Sequence, residues 1–136
     1  MRYFTAFVFR DSEGLGFTCP DVPGFTAHTA TYDLDAAVGE ARAALAGHIA
    51  AVLDAGLVIP SARDIVALRS DASLAADFAE AECIVMLPAI MPSGRTVRVN
   101  LSMDEATLAA IDRAATERRI TRSAFVTEAS RRLIDA

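Results

Sequence analysis

The 136 residues allow one domain or two small ones, and 53% hydrophobic content is ample for a core. A net charge of −5 speaks against wholesale nucleic-acid coating, but it is unevenly spread. Residues 1–94 carry five arginines against twelve acidic side chains, or −7, and residues 95–136 carry eight arginines against six, or +2, which points to an acidic body with a mildly basic tail.

Every basic charge is arginine, a feature we assign to genomic composition rather than function. Cys19 and Cys83 each lie in an apolar run with no metal-ligand spacing, which excludes a zinc site and a disulfide scaffold. Both are expected to be buried, reduced thiols. No signal peptide is legible before Met1-Arg-Tyr-Phe4 and no apolar run has membrane-spanning length, so the expectation is a cytoplasmic protein.

The chain opens with a strand, Tyr3 to Phe9, followed by a turn over Asp11-Ser-Glu-Gly-Leu-Gly16 and a second strand from Phe17, which together predict a hairpin. Gly14 and Gly16 do not read as a phosphate loop, because no helix follows them. Pro20-Asp-Val-Pro-Gly24 is a stiff corner leading to a third strand, Phe25 to Thr29. Asp33 then predicts the cap of a long helix with Leu34, Val38, Leu45, Ile49 and Val52 facing inward, ended by Gly56 and Ile59-Pro60. Residues 61–82 are loosely patterned, with a short helical turn expected over Leu74 to Ala81. Cys83-Ile-Val-Met-Leu87 is apolar throughout and is expected to be a central strand. Pro88, Pro92, Ser93 and Gly94 predict a linker, dividing the chain into a body at 1–92, a link at 93–95 and a tail at 96–136.

The tail begins with Thr96-Val-Arg-Val-Asn-Leu-Ser-Met103, whose alternation predicts a strand with one apolar face. Asp104 predicts a helix cap, with Leu108, Ile111 and Ala115 at helical spacing. Thr121 predicts the cap of a second helix, on which Phe125, Val126, Ala129 and Leu133 form the apolar face. A lone strand with two unpaired edges and two small helices buries too little surface to stand alone. The tail is therefore expected to pair with its own copy, with Val99, Leu101, Met103, Leu108, Ile111, Phe125 and Leu133 as the dimer core. A free sheet edge in the body would allow a further dimer of dimers.

This strand–helix–helix order resembles the ribbon-helix-helix DNA-binding domain, whose paired strands enter the major groove. On that resemblance Arg98 can reach guanine and Asn100 can pair with adenine, while Ser102 is small and can donate or accept. Thr121, Arg122 and Ser123 at the second helix start would hold phosphate. The body in turn resembles HicB-type antitoxins. The residues that carry this are the Tyr3 strand, Glu13-Gly14, Pro20-Asp-Val-Pro-Gly24, Asp33-Leu-Asp-Ala-Ala-Val38, Gly56-x-x-Ile-Pro60 and the junction Gly94 to Ser102. Asp104 departs from the proline often found near that point. The resemblance implies an α/β protein with a partial RNase-H-like β-β-β-α-β body and a ribbon-helix-helix (β-α-α) tail. It also implies a small toxin ribonuclease, HicA, as partner of the body, and operator DNA of the shared operon as partner of the tail.

An enzyme is not expected. Asp11, Glu13, Asp21, Asp33 and Asp35 each have a local explanation as turn former or cap, and no strand carries an inward acid at its centre as two-metal phosphodiester chemistry would need. His28 and His48 read as packing or surface residues. We expect no catalytic residue, no metal and no cofactor. Asp11, Glu13, Asp21 and His28, in turns and the third strand, are the candidate toxin contacts. The alternative is a stand-alone ribbon-helix-helix regulator whose body senses or oligomerises.

Overall fold

The computed structural model describes all residues, Met1–Ala136, as two compact units divided between Met91 and Pro92. The first unit contains β1 (Arg2–Arg10), β2 (Leu15–Thr18), β3 (Thr26–Thr29), α1 (Leu34–Asp54), α2 (Ile65–Arg69), a 3-10 turn (Ala72–Leu74), α3 (Ala75–Glu80) and β4 (Cys83–Ala89). The second holds α4 (Glu105–Glu117) and α5 (Arg122–Asp135).

The four strands form one antiparallel sheet in the order β3-β2-β1-β4. β1 is long, β-branched and aromatic, and takes a partner on either side. β4 is therefore an edge strand, not the central one expected from its apolar run. Its middle residue Met86 is half exposed, and Pro88, which has no N–H to donate, is tolerated because one side of an edge needs no ladder. That proline also blunts the edge against extension by another strand.

Register places Phe4, Ala6 and Val8 on one face with Phe17, Leu87 and Ala89, and α1 packs against them through Ala37, Ala41, Leu45 and Ile49. Leu34, expected inside, is half exposed; the inward stripe starts one turn later at Ala37, where a small side chain lets the helix lie close to the sheet. α1 is 21 residues long with a mean hydropathy of 1.3 over its most apolar stretch, enough by length and composition to cross a bilayer. Polar residues interrupt every apolar run within it. Here its apolar stripe is occupied by the sheet.

The opposite sheet face is covered in part. Phe7 is fully buried there, with Phe78 of α3 edge-on at 4.8 Å, and Leu68 of α2 is buried as well. The short turn expected near 74–81 is thus α3, while α2 had no sequence signal, since five residues are too few for periodicity.

Local chemistry ends the elements. Asp33 accepts from Asp35 N–H at 3.1 Å to start α1. Gly56 ends it at φ 75°, with Gly56 N–H to Leu53 O and Leu57 N–H to Val52 O, the paired bonds of a Schellman motif. Gly14 has φ 151°, and a Cβ there would stand 1.8 Å from Thr29 O, so only glycine lets the first turn run beside the end of β3.

Candidate functional site

The tail unit carries the DNA and dimer candidates. Asp104 accepts from Thr107 N–H at 3.1 Å and opens α4. Thr121 accepts from Ala124 N–H at 3.1 Å and opens α5. Between them α4 closes with Arg119 N–H to Thr116 O and Ile120 N–H to Ala115 O, the same paired bonds that end α1. Here an arginine holds the left-handed position, at φ 56°, where glycine would be unstrained.

Residues 96–103 form no ladder within the chain. Arg98, Asn100 and Ser102 are exposed, and so are Val97 (72%), Val99 (68%), Leu101 (64%) and Met103 (38%). Beside them lies an open cleft of about 720 Å³ whose apolar lining is Val97, Val99, Leu101, Met103, Leu108 and Val126, and which Asn100, Ser102, Arg122 and Ser123 also border. Leu108, Ile111 and Phe125 are half buried, Ala115 is buried, and Leu133 is 79% exposed. A single copy therefore leaves most of its alternating apolar residues in water, whereas hydrophobic side chains of this size gain about 1.5–3 kcal/mol each on burial.

At the start of α5 the guanidinium of Arg122 is already engaged. It donates Nε and Nη2 to the two oxygens of Asp112, both at 2.7 Å. Arg122 in turn holds the Asp112 carboxyl below the usual carboxylate range. No sequence signal pointed to Asp112.

In the body the candidate contacts separate into two kinds. Asp11 and His28 meet at the end of the sheet, with His28 Nε2 3.0 Å from Asp11 Oδ2 and both side chains about half exposed. The Asp11 carboxylate accepts from the N–H groups of Glu13 (2.8 Å) and Gly14 (2.9 Å), and the first of these bonds leads in holding its pKa low. Tyr32 donates to Asp11 O at 2.8 Å, and Arg10 stacks on the Tyr32 ring while its Nε donates to both carboxylate oxygens of Glu82. Glu13 is exposed. Asp11, Glu13 and His28 thus share an accessible rim with Arg10, Tyr32 and Glu82, for which no sequence signal was apparent.

Asp21 belongs elsewhere, and its assignment as an exposed contact is corrected here. It is 7% exposed. It accepts from Arg63 N–H at 2.6 Å and Arg63 Nε at 2.7 Å, while Arg63 Nη1 reaches Asp71 at 2.9 Å. A buried carboxylate with a forked arginine is a lock between the Pro20 corner and the segment leading into α2.

His48 Nε2 donates to Pro23 O at 3.0 Å and the ring lies edge-on to Phe25, a packing role. Cys19 is buried, which pushes its thiol up to about 12, ahead of a smaller effect from Asp21. Cys83, expected buried, is only half so, because it begins the edge strand. No three His, Cys, Asp or Glu side chains are grouped to hold a metal ion.

Among solved structures, the antitoxin HicB of Burkholderia pseudomallei is similar over 96% of either chain, at 25% identity and a TM-score of 0.53. A HicA3 and HicB3 toxin–antitoxin complex is similar over 65% of this chain and 99% of that one, at 23% identity and a TM-score of 0.51, a likeness of fold. No curated protein matches the sequence significantly. The family model described as the HicB-like antitoxin of bacterial toxin–antitoxin systems matches residues 4–130. With nearly its whole length inside that match, and with a four-stranded antiparallel sheet and helices like those of a solved HicB, the chain belongs to the HicB-like antitoxin family.

Proposed function

We propose that this antitoxin silences a HicA-type toxin ribonuclease through a partial RNase-H-like body, residues 1–92, and represses its own operon through a ribbon-helix-helix tail, residues 96–136. The observation that carries the tail's role is the apolar stretch Val97 to Met103, left in water beside an open cleft in a single copy. Pairing this stretch with its twofold-related copy would give each strand a ladder partner and fill the cleft with Val99, Leu101 and Met103 against Leu108 and Val126, in a dimer core that extends to Ile111, Phe125 and Leu133. The polar alternates Arg98, Asn100 and Ser102 would then lie together on the outer face of a two-stranded ribbon, the element that reads base edges in a major groove. Thr121, Arg122 and Ser123 would approach phosphate.

For the body, a charge of −7 over residues 1–94 favours a partner with the basic surface that RNA cleavage requires. Asp11, Glu13 and His28 are the proposed contacts, since they stand exposed on a rim braced by Tyr32 and Arg10. Binding is the reading favoured for the body, whose acids Asp11, Asp21, Asp33, Asp64 and Asp71 are engaged in turns, caps and ion pairs.

The body's role is tested by co-expressing residues 1–92 with a HicA-type toxin ribonuclease. Growth should be restored and a complex recovered, while operator binding is lost. Toxicity that persists although the truncated body is folded would mean that neutralisation needs the tail. The tail's role is tested with Arg98→Ala, expected to weaken operator binding by about 1–3 kcal/mol and to relax base preference at one position in each half-site. An unchanged preference in a binding-site selection would remove Arg98 from the reading head.

A further inference from the structure

The eight arginines in residues 95–136 are not equivalent in the folded tail. Arg132 pairs with Glu128, and Arg118 lies 5.4 Å from the Phe125 ring centre and donates to Ala114 O at 3.1 Å. Arg122 is forked onto Asp112, ten residues back across the helix–helix turn. The side chains of Arg95, Arg98, Arg113, Arg119 and Arg131 are exposed and make no such contact. Of these, the arrangement at Arg122 bears most on function, because it lies at the first residue of α5, beside the Thr121 cap, where the tail would meet phosphate.

As a brace between helices the pair has little to offer. Its side chains are 57% and 45% exposed, and ion pairs in that setting contribute little to stability. Its effect on charge is larger. A guanidinium held fork-to-fork by a carboxylate forms a neutral unit, and a neutral unit releases few counterions when it nears a phosphate. Sequence-independent binding to DNA is built from such releases, whereas base readout is not.

We propose that Asp112 sets the selectivity of the tail: by neutralising Arg122 at the start of α5 it withholds one cation from the phosphate backbone, so that discrimination rests on the base-reading face of residues 96–103. This rests on the DNA-binding reading above and adds a residue that acts only through Arg122. Removing its charge strengthens binding to any duplex and lowers the ratio of specific to non-specific affinity.

The experiment titrates the full chain, wild type and Asp112→Asn, with an operator duplex and a scrambled duplex between 50 and 200 mM salt. Asp112→Asn is expected to bind the scrambled duplex more tightly, with a salt dependence steeper by about one phosphate contact. Its advantage over wild type should accordingly shrink about threefold across that range. Asp112→Asn combined with Arg122→Gln should return to the wild-type slope or below, which a merely structural role would not produce. Asp112→Ser removes the same charge with a smaller side chain and serves if the asparagine variant fails to keep the wild-type circular dichroism. Equal slopes for wild type and the discharged variants overturn the proposal and leave the pair a brace, as does weaker binding to both duplexes. If no variant, wild type included, binds the operator at 50 mM salt, the DNA-binding reading itself falls, and this inference with it.

Discussion

Leu101→Asp is expected to turn the protein from a dimer into monomers at micromolar concentration and to abolish operator binding. In one copy Leu101 is 64% exposed and borders the open cleft beside α4 and α5. If a second copy covers it, each chain gains about 2 kcal/mol from that side chain, so a symmetric dimer gains about 4 kcal/mol. Losing this alone raises the dissociation constant roughly a thousandfold. Two facing carboxylates forced out of water add a further penalty. Sedimentation velocity of wild type and variant decides the matter, with far-UV circular dichroism to show that α1 and the sheet persist. A wild-type protein that sediments as a monomer would refute the paired tail, because nothing would then cover Val97, Val99 and Leu101.

Arg63→Ala should lower the stability of the body by about 3 kcal/mol. The reason is the partner left behind. Asp21 is nearly buried, and without the guanidinium its charge would face a site of low dielectric with one remaining backbone donor, the N–H of residue 63. Asp71 would lose the same partner, although Ser73 still holds its carboxyl below the usual range. In a unit of this size such a loss corresponds to a fall in Tm of about 15 °C. Arg10→Ala provides the contrast. It removes an ion pair with Glu82 of comparable geometry in which both side chains are nearly half exposed, and it should change stability by about 1 kcal/mol or less. Melting curves for the two variants that coincide would return Asp21 to the list of surface groups available to a toxin.

Much of the local structure was legible. The apolar, aromatic run of residues 3–9, the caps Asp33, Asp104 and Thr121, and the stop at Gly56 all act between residues at most a few positions apart, so their effects are written in short stretches. α2 was not legible for the opposite reason, since a helix of five residues exists only because Leu68 is buried in the body. Asp11 and Glu13 in the first turn and His28 on the third strand are exposed, as expected, whereas turn chemistry misplaced Asp21, whose partner lies 42 residues away.

By itself the sequence determined two units of opposite charge, the β-β-β-α-β order of the first, and a tail whose apolar alternation exceeds what its own helices can cover. These follow from composition, side-chain period and capping, which need no knowledge of distant residues. Only the tertiary structure decided that β4 is an edge and β1 the centre, because an apolar run reads alike whether a strand or a helix covers it. Only the tertiary structure, too, withdrew Asp21 to the interior and joined Arg122 to Asp112. Such pairings are chosen when the chain closes on itself, by the high free energy of leaving a charge unpaired away from water and the small one of turning an exposed arginine toward a neighbouring carboxylate.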